Sequence, residues 1–189
     1  MADALANAPA FFCVTKVSLA EGTTSTLSTT GTTTYSINGV AYTKTALTNQ
    51  ATPTTDYATG NAFIPMPIPG TTTNLPPGVP AGAAGYVCAF LIGFDSSGNL
   101  KAIQGQIQAC DTAGDPIVAP SLPSSLGPAG PNSGDNNFCP IGYIVVKSGA
   151  TAVATFTFGT TSWTTTGYTT SLGDLMTLTG RPLAGLTYS

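Results

Sequence analysis

The 189-residue chain carries eight acidic residues, five basic residues and no histidine, so charged residues make up 7% of it. An ordinary soluble domain has roughly 25%. Five basic residues cannot form a basic stripe, which argues against binding nucleic acid through its phosphates. Hydrophobic residues make up 42%, which is enough for a core and unlike a disordered chain. Most polar residues are Thr, Ser, Asn and Gln, and β-branched Thr suits the exposed face of a strand.

The N-terminal residues predict a short arm rather than a signal peptide. Residues 1–10 lack a basic region, and the apolar run 10–14 is too short to direct export. The longest apolar run, residues 86–94, is too short for a membrane-spanning helix. We expect an arm over residues 1–12 and one β-rich domain over 13–189, with no membrane partner.

The first half of the domain predicts one strand, a threonine-rich tract and a clear hairpin. Residues 12–19 are predicted as a strand, and the Thr/Ser/Gly tract 21–34 as an exposed strand pair or loop. In TTYSI-NG-VAYTK, Asn38-Gly39 is the preferred pair for a type I′ turn, because both central residues need a positive φ. Such a hairpin pairs Ile37 with Val40 and Tyr35 with Tyr42.

A long proline- and glycine-rich section, residues 46–85, then predicts an extended loop that runs across a surface. The segment GYVCAFLIGF that follows, residues 85–94, has apolar residues at both parities and therefore predicts a central strand covered on both faces. Residues 95–99 turn the chain into a partner strand, LKAIQGQIQAC. Ile103 and Ile107 are predicted to share one face of that partner.

The last third predicts a second extended loop over residues 111–138 and a third hairpin. Strands 141–147 and 151–158 are predicted to pair around Ser148-Gly149, and residues 171–178 to form a short helix. Three hairpins separated by turn signals predict an all-β fold, an antiparallel β-sandwich or barrel that is jelly-roll-like, with long Pro/Gly-rich loops.

The chain lacks the usual catalytic groups. Without histidine, neither a Ser–His–Asp nor a Cys–His nucleophile can form. Nearly all the scattered acidic residues lie beside Gly, Ser, Asn or Pro, where Asp serves turns through side-chain hydrogen bonds. Two segments, residues 111–115 with Asp111 and Asp115 and residues 135–137 with Asp135, could supply oxygen ligands to calcium. Neither segment matches a calcium-binding loop, and turn chemistry explains both. We therefore predict no enzyme, no cofactor and no metal site.

Two further residue classes leave alternatives open. The four cysteines, at positions 13, 88, 110 and 139, include no CxxC pair and favour free buried thiols over a disulfide framework. Certain apolar side chains outside the clearest strands are candidate anchors of a protein interface. They are Phe11, Phe12, Phe63, Met66, Ile68, Trp163 and Tyr168. For Trp163, filling the end of the sandwich is an equal alternative.

Two stretches resemble the capsid decoration, or cement, proteins of tailed bacteriophages. They are TTYSINGVAYTKTALTNQATPTTDYATGNAF (33–63), and FLIGFDSSGNLKAIQG with CPIGYIVVKSGATAVATFTFGTTSW (90–105 and 139–163). The resemblance implies a structural protein on the capsid exterior of a virion, made in the host cytoplasm. Its implied partners are the major capsid protein, whose neighbouring copies it would bridge, and itself, as a homotrimer.

Other functions are also consistent with a charge-poor β pattern. The main alternative is a receptor- or glycan-binding module of a tail fibre or surface adhesin, with Trp163 or Tyr168 stacking on sugars. A β-fold hydrolase that uses paired Asp residues is a remote third hypothesis.

Overall fold

The computed structural model describes residues 12–119 and 137–175. Within these ranges the chain is all-β and contains no helix, so no helix there could cross a membrane. The strands in chain order are β1 Phe12–Cys13, β2 Ala20–Glu21, β3 Thr26–Ser28, β4 Thr33–Ile37, β5 Val40–Lys44, β6 Gln50–Ala51, β7 Gly85–Phe94, β8 Leu100–Gln104, β9 Gln108–Cys110, β10 Cys139–Ser148 and β11 Tyr168–Asp174.

These strands form three antiparallel sheets. The largest is five-stranded in the order β11-β10-β7-β8, with β9 pairing to the same side of β7 beyond the end of β8. The two smaller sheets have the orders β1-β4-β5 and β2-β3-β6. The described sheets pack as a sandwich and do not close into a barrel, so the predicted all-β sandwich is confirmed and its barrel alternative is not.

Strand β7 lies at the centre of the fold, and all ten of its residues are buried. Its even-numbered side chains, from Tyr86 to Phe94, belong to the main core between the layers. Val87 and Ala89 belong to a second cluster on the opposite face, and Leu91 to a third. The predicted two-sided strand is therefore confirmed, with the faces as expected from strand alternation.

The main core lies between the five-stranded sheet and a layer made of the small sheets and aromatic loops. A β-bulge between Pro140 and Gly142 shifts the alternation in β10. As a result, the side chains of β10 that enter the main core are odd-numbered before the bulge (Cys139 and Ile141) and even-numbered after it (Ile144 and Val146). The second layer contributes Leu27, Tyr35, Phe63, Met66, Phe156, Phe158 and Trp163 to the same core.

The first hairpin has the predicted register, with Ile37 opposite Val40 and Tyr35 opposite Tyr42. Asn38 has φ 51° and Gly39 has φ 78°, which places both in the left-handed region that a type I′ turn requires. Tyr35 and Tyr42 stack with ring centroids 5.6 Å apart. This hairpin is confirmed, and Asn38-Gly39 carried the necessary information locally.

The second hairpin is confirmed over β7 and β8, but its partner strand is not continuous. β8 ends at Gln104, and β9 begins at Gln108 after an interruption. Ile107 packs in the main core, whereas Ile103 packs with Leu91 and Phe138 on the other face. The prediction that both isoleucines share a face is wrong, because the irregular residues between the strands change the alternation.

The prediction of a third hairpin, between residues 141–147 and 151–158, is wrong. β10 pairs with β11, and within residues 151–158 only Phe156 forms an isolated bridge, to Met66. Phe156 and Phe158 fill the main core instead of a sheet edge. The predicted helix over 171–178 is wrong for residues 171–174, which belong to β11, and the rest of it beyond Leu175 lies outside the described residues.

The predicted arm and loops fall partly outside the described ranges. Residues 1–11 of the arm and 120–136 of the second loop are among the residues not described. Phe12 belongs to β1 and pairs with Ser36. The prediction of a strand over residues 12–19 is too long, because β1 contains only the first two of these residues. Residues 52–84 carry only isolated bridges, such as Thr55 to Ala62.

Candidate interaction surface

The carboxylate of Asp95 is occupied in the turn that joins β7 to β8. Its Oδ1 accepts the backbone N–H groups of Ser97 and Asn99, at 2.9 and 2.8 Å. Its Oδ2 accepts from the Asn99 side chain at 3.0 Å and lies 3.6 Å from the Lys101 Nζ. Asp95 therefore stabilises a turn, as the sequence predicts, and both of its carboxylate oxygens are already engaged by residues of the same chain.

Asp56 is a second buried carboxylate, and it joins a loop to a strand. Its Oδ1 accepts from the N–H groups of Ala58 and Thr59, and its Oδ2 accepts from the Gln104 N–H of β8 at 3.3 Å. Burial raises the pKa of Asp56, and these three hydrogen bonds oppose that rise. No local sequence pattern indicates this role, since the contact between Asp56 and β8 spans 48 residues.

The remaining described aspartates are also committed to the backbone or to an ion pair. Asp111 accepts two backbone N–H groups of its own turn, and Asp115 lies 3.9 Å from the Lys147 Nζ. Asp174, at the end of β11, accepts the N–H groups of Ser18 and Leu19 at 3.0 and 2.8 Å. No group of three metal-binding side chains comes together in the described part of the chain.

A groove beside the β7–β8 turn offers little chemistry. Its lining includes Lys44, Gln50, Gly98 and Asn99, together with apolar residues. None of the lining residues is a carboxylate, a thiol or a hydroxyl group that could act as a nucleophile. The groove therefore lacks the convergent polar groups of a catalytic pocket.

The four cysteines are free, and all four are buried. Burial raises the pKa of Cys88 and of Cys139 to about 12, and it also raises the pKa values of Cys13 and Cys110. These thiols therefore stay protonated at neutral pH, and a protonated thiol is a poor nucleophile and a poor metal ligand. Their environment is that of small core residues.

The structure places the predicted interface anchors mainly in the core. Phe63, Met66, Trp163 and Tyr168 are buried, with exposed fractions between 0 and 8%, and Ile68 is partly buried. Phe11 lies outside the described residues. The buried four face the main core in this conformation, so they present no surface on which a partner could dock.

For Trp163 the structure favours filling the sandwich over forming an interface. Its ring packs on Phe156 and Phe158, with centroids 6.0 and 5.7 Å away. Its backbone N–H donates to the Thr24 carbonyl, and its indole N–H donates to the Thr26 carbonyl. Both N–H groups of Trp163 therefore have hydrogen-bond acceptors inside the fold.

The large exposed apolar side chains of the described surface are aliphatic, and none of them is among the predicted interface anchors. They are Val14, Val40, Ile64, Ile117, Val118 and Val153. Ile117 and Val118 are adjacent, with exposed fractions of 65 and 57%. None of the described aromatic side chains is exposed. Each residue lies in or beside a loop, where hydrophobic periodicity carries no information about burial.

No known protein family, curated protein or solved structure matches this chain.

Proposed function

We propose that this protein is a non-enzymatic structural component of a phage virion, bound to the capsid exterior, where it stabilises the shell by bridging major capsid proteins. The observation that carries the proposal is the lack of charge on its exterior. Ten charged residues fall in the described ranges, and two of them, Asp56 and Asp95, are buried. The two Lys–Asp ion pairs involve four of the ten.

A surface of this kind suits permanent contact with other subunits. Charged residues are depleted at the cores of protein interfaces, whereas a free soluble protein relies on charge to remain dispersed. The exposed pair Ile117–Val118 adds apolar area next to a proline-rich segment. The resemblance of residues 33–63 and 139–163 to cement proteins points to the same role.

The use of the aspartates also supports a structural role. Four of the five described aspartates accept backbone N–H groups, and the fifth pairs with Lys147. A hydrolase that uses two carboxylates needs both to be directed at a substrate. The glycan-binding alternative loses its proposed stacking residues, because Trp163 and Tyr168 are buried.

Cryo-electron microscopy of the virion whose genome encodes this chain tests the proposal. The expected result is density for the sandwich across the boundaries between capsomers, with the chain present in stoichiometric amount in purified heads. Heads that lack the chain, or density on the tail alone, would overturn it. Native mass spectrometry of the purified protein separately distinguishes the homotrimer that the resemblance implies from a dimer.

Contact through the aliphatic surface can be tested with matched variants. Shells assembled without the chain are incubated with the wild type, with Ile117→Asp/Val118→Asp, or with Val14→Asp, which alters an exposed valine elsewhere on the surface. We expect the double variant to lose shell binding at least tenfold and Val14→Asp to retain it. Equal binding by all three would remove Ile117 and Val118 from the contact.

A further inference from the structure

The two outer edges of the five-stranded sheet differ in how their backbone groups are satisfied. Along β8, the loop that precedes β7 supplies partners. The Tyr57 N–H donates to the Ala102 carbonyl at 2.8 Å, and the Asp56 carboxylate accepts the Gln104 N–H. Two outward backbone groups of β8 therefore bond within the chain, and residues 56–57 lie where another strand would have to pair.

Strand β9, on the same side of the sheet, is covered in a similar way. The chain turns back after β9, so that the Ile117 N–H donates to the Ala109 carbonyl at 3.0 Å. A bridge joins Cys110 to Pro116 beside it. A strand added from outside would have to displace this segment.

The opposite edge, β11, has outward N–H groups that bond to none of the described residues. The Leu175 N–H donates to the Ile141 carbonyl at 2.9 Å, which fixes the alternation of the β10–β11 ladder. Odd-numbered N–H groups of β11 therefore point to β10. The N–H groups of Thr170, Leu172 and Asp174 point away from the sheet.

The sequence of β11 also lacks the features by which edge strands are normally protected. From Tyr168 to Gly173 it contains no charge and no proline, and no bulge interrupts its pairing with β10. By comparison β5, an outer strand of a small sheet, has five residues and ends in Lys44. Lysine is the residue most often used to keep an edge strand unpaired.

We propose that β11 pairs antiparallel with β11 of a second copy of this chain, about a two-fold axis that passes beside Ser171. This register pairs every residue of β11 with a residue of the second β11, and it places Thr170 opposite Leu172, so that both outward N–H groups meet carbonyl groups. Together with Asp174 opposite Tyr168, the alternation gives four hydrogen-bonded pairs. About six backbone hydrogen bonds result, because the Tyr168 N–H of each copy already donates to its own Thr165 carbonyl. The inference does not depend on the capsid proposal.

The charge and shape of β11 favour a second copy as the occupant. In this register the two Asp174 carboxylates lie at opposite ends of the ladder, about 20 Å apart along the strands, so they do not repel each other strongly. Leu172 is partly buried against the main core, and pairing covers it further. A two-fold contact is self-complementary, so one open edge is sufficient to form it.

Cysteine cross-linking of the full chain tests the register. Ser171 is exposed and would lie directly opposite Ser171 of the second copy in a non-hydrogen-bonded pair, with a Cα separation of about 4.5 Å. That separation suits a disulfide. We expect Ser171→Cys to form a covalent dimer under mild oxidation, while the four buried native thiols do not react.

Thr169→Cys is the matched control, since Thr169 is exposed on the same face of the same strand. In the proposed register it lies opposite Gly173, and the two copies of position 169 are about 14 Å apart. Cross-linking of Ser171→Cys at least tenfold above Thr169→Cys supports the proposal. Equal yields, or no dimer from either variant, overturn it.

A non-covalent measurement distinguishes a second copy from other occupants of the edge. Ser171→Lys places two like charges side by side across the axis, so we expect sedimentation to show a dimer for the wild type and a monomer for the variant. Hydrogen exchange at Thr170 and Leu172 should slow with rising protein concentration. Protection that is independent of concentration would assign the edge to another part of the same chain and overturn the proposal.

Discussion

The indole Nε1 of Trp163 donates a 2.8 Å hydrogen bond to the backbone carbonyl of Thr26, 137 residues earlier in the chain. The bond joins the long connection between β10 and β11 to strand β3 of a small sheet. Because Trp163 also packs on Phe156 and Phe158, it holds the second layer together by both a polar and an apolar contact.

We expect Trp163→Phe to lower the free energy of unfolding by about 0.5–1.5 kcal/mol, since it removes one of the two hydrogen bonds to the Thr26 carbonyl and leaves the one from the Gly22 N–H. Trp163→Ala should lower it by about 3–5 kcal/mol, because a cavity is added. Val153→Ala, at a side chain that is 75% exposed, should change it by less than about 0.5 kcal/mol. Urea unfolding followed by far-ultraviolet circular dichroism measures all three, and equal effects would contradict the assigned role.

Asp56→Asn should destabilise the protein more than Asp111→Asn does. An asparagine at 56 retains the oxygen that accepts from Ala58 and Thr59 but presents an N–H₂ group to the Gln104 N–H. A buried unsatisfied donor costs about 1–3 kcal/mol. At the exposed Asp111 a single oxygen accepts both N–H groups, so asparagine preserves every bond.

Thermal unfolding of both asparagine variants beside the wild type provides the measurement. A lower midpoint for Asp56→Asn, with Asp111→Asn close to the wild type, is the expected pattern. Similar midpoints for both variants would show that the contact between Asp56 and β8 contributes little.

Stability should decrease at alkaline pH because four buried groups resist ionisation. Burial raises the pKa of Cys88 and of Cys139 from 9.0 to about 12, and that of Tyr35 and of Tyr168 from 10.0 to about 12. A group with a raised folded-state pKa contributes stability below its unfolded pKa and loses it as the pH rises toward the folded value. The decline should therefore lie between about pH 9 and pH 12.

Urea unfolding at intervals from pH 8 to pH 11 checks this slope. Cys88→Ala removes one titrating group and should make the decline shallower. Val87→Ala, at an equally buried neighbour in β7, should lower stability at every pH and leave the slope unchanged. A slope that is the same in Cys88→Ala and the wild type would contradict the contribution of this thiol.

Local patterns in the sequence predicted the strands whose partners are adjacent in the chain. Asn38-Gly39 specifies its own turn, and the two-sided apolar pattern of residues 85–94 marks a central strand wherever its neighbours lie. In both cases the determining residues lie within a few positions of each other, so no long-range information was needed.

Predictions failed where distant contacts decide the structure. Ser148-Gly149 resembles a hairpin turn, but β10 pairs with β11, and Phe156 is drawn into the core by contacts with Met66 and Trp163. Likewise, an aromatic residue in a threonine-rich segment looks the same in sequence whether it faces solvent or, like Tyr168, the core. Burial of these side chains depends on the packing of two layers, which periodicity within one segment does not encode.

The coverage of β8 by the loop that precedes β7, and of β9 by the segment that follows it, limits how large an assembly this sheet can build. Growth by addition of strands is possible only where backbone groups remain unsatisfied, and in the described sheet that leaves the β11 side alone. Two copies joined there would contribute five strands each and present a closed edge at both outer ends. A protein rich in uncharged β-strands can thereby associate through its backbone without polymerising into a fibre.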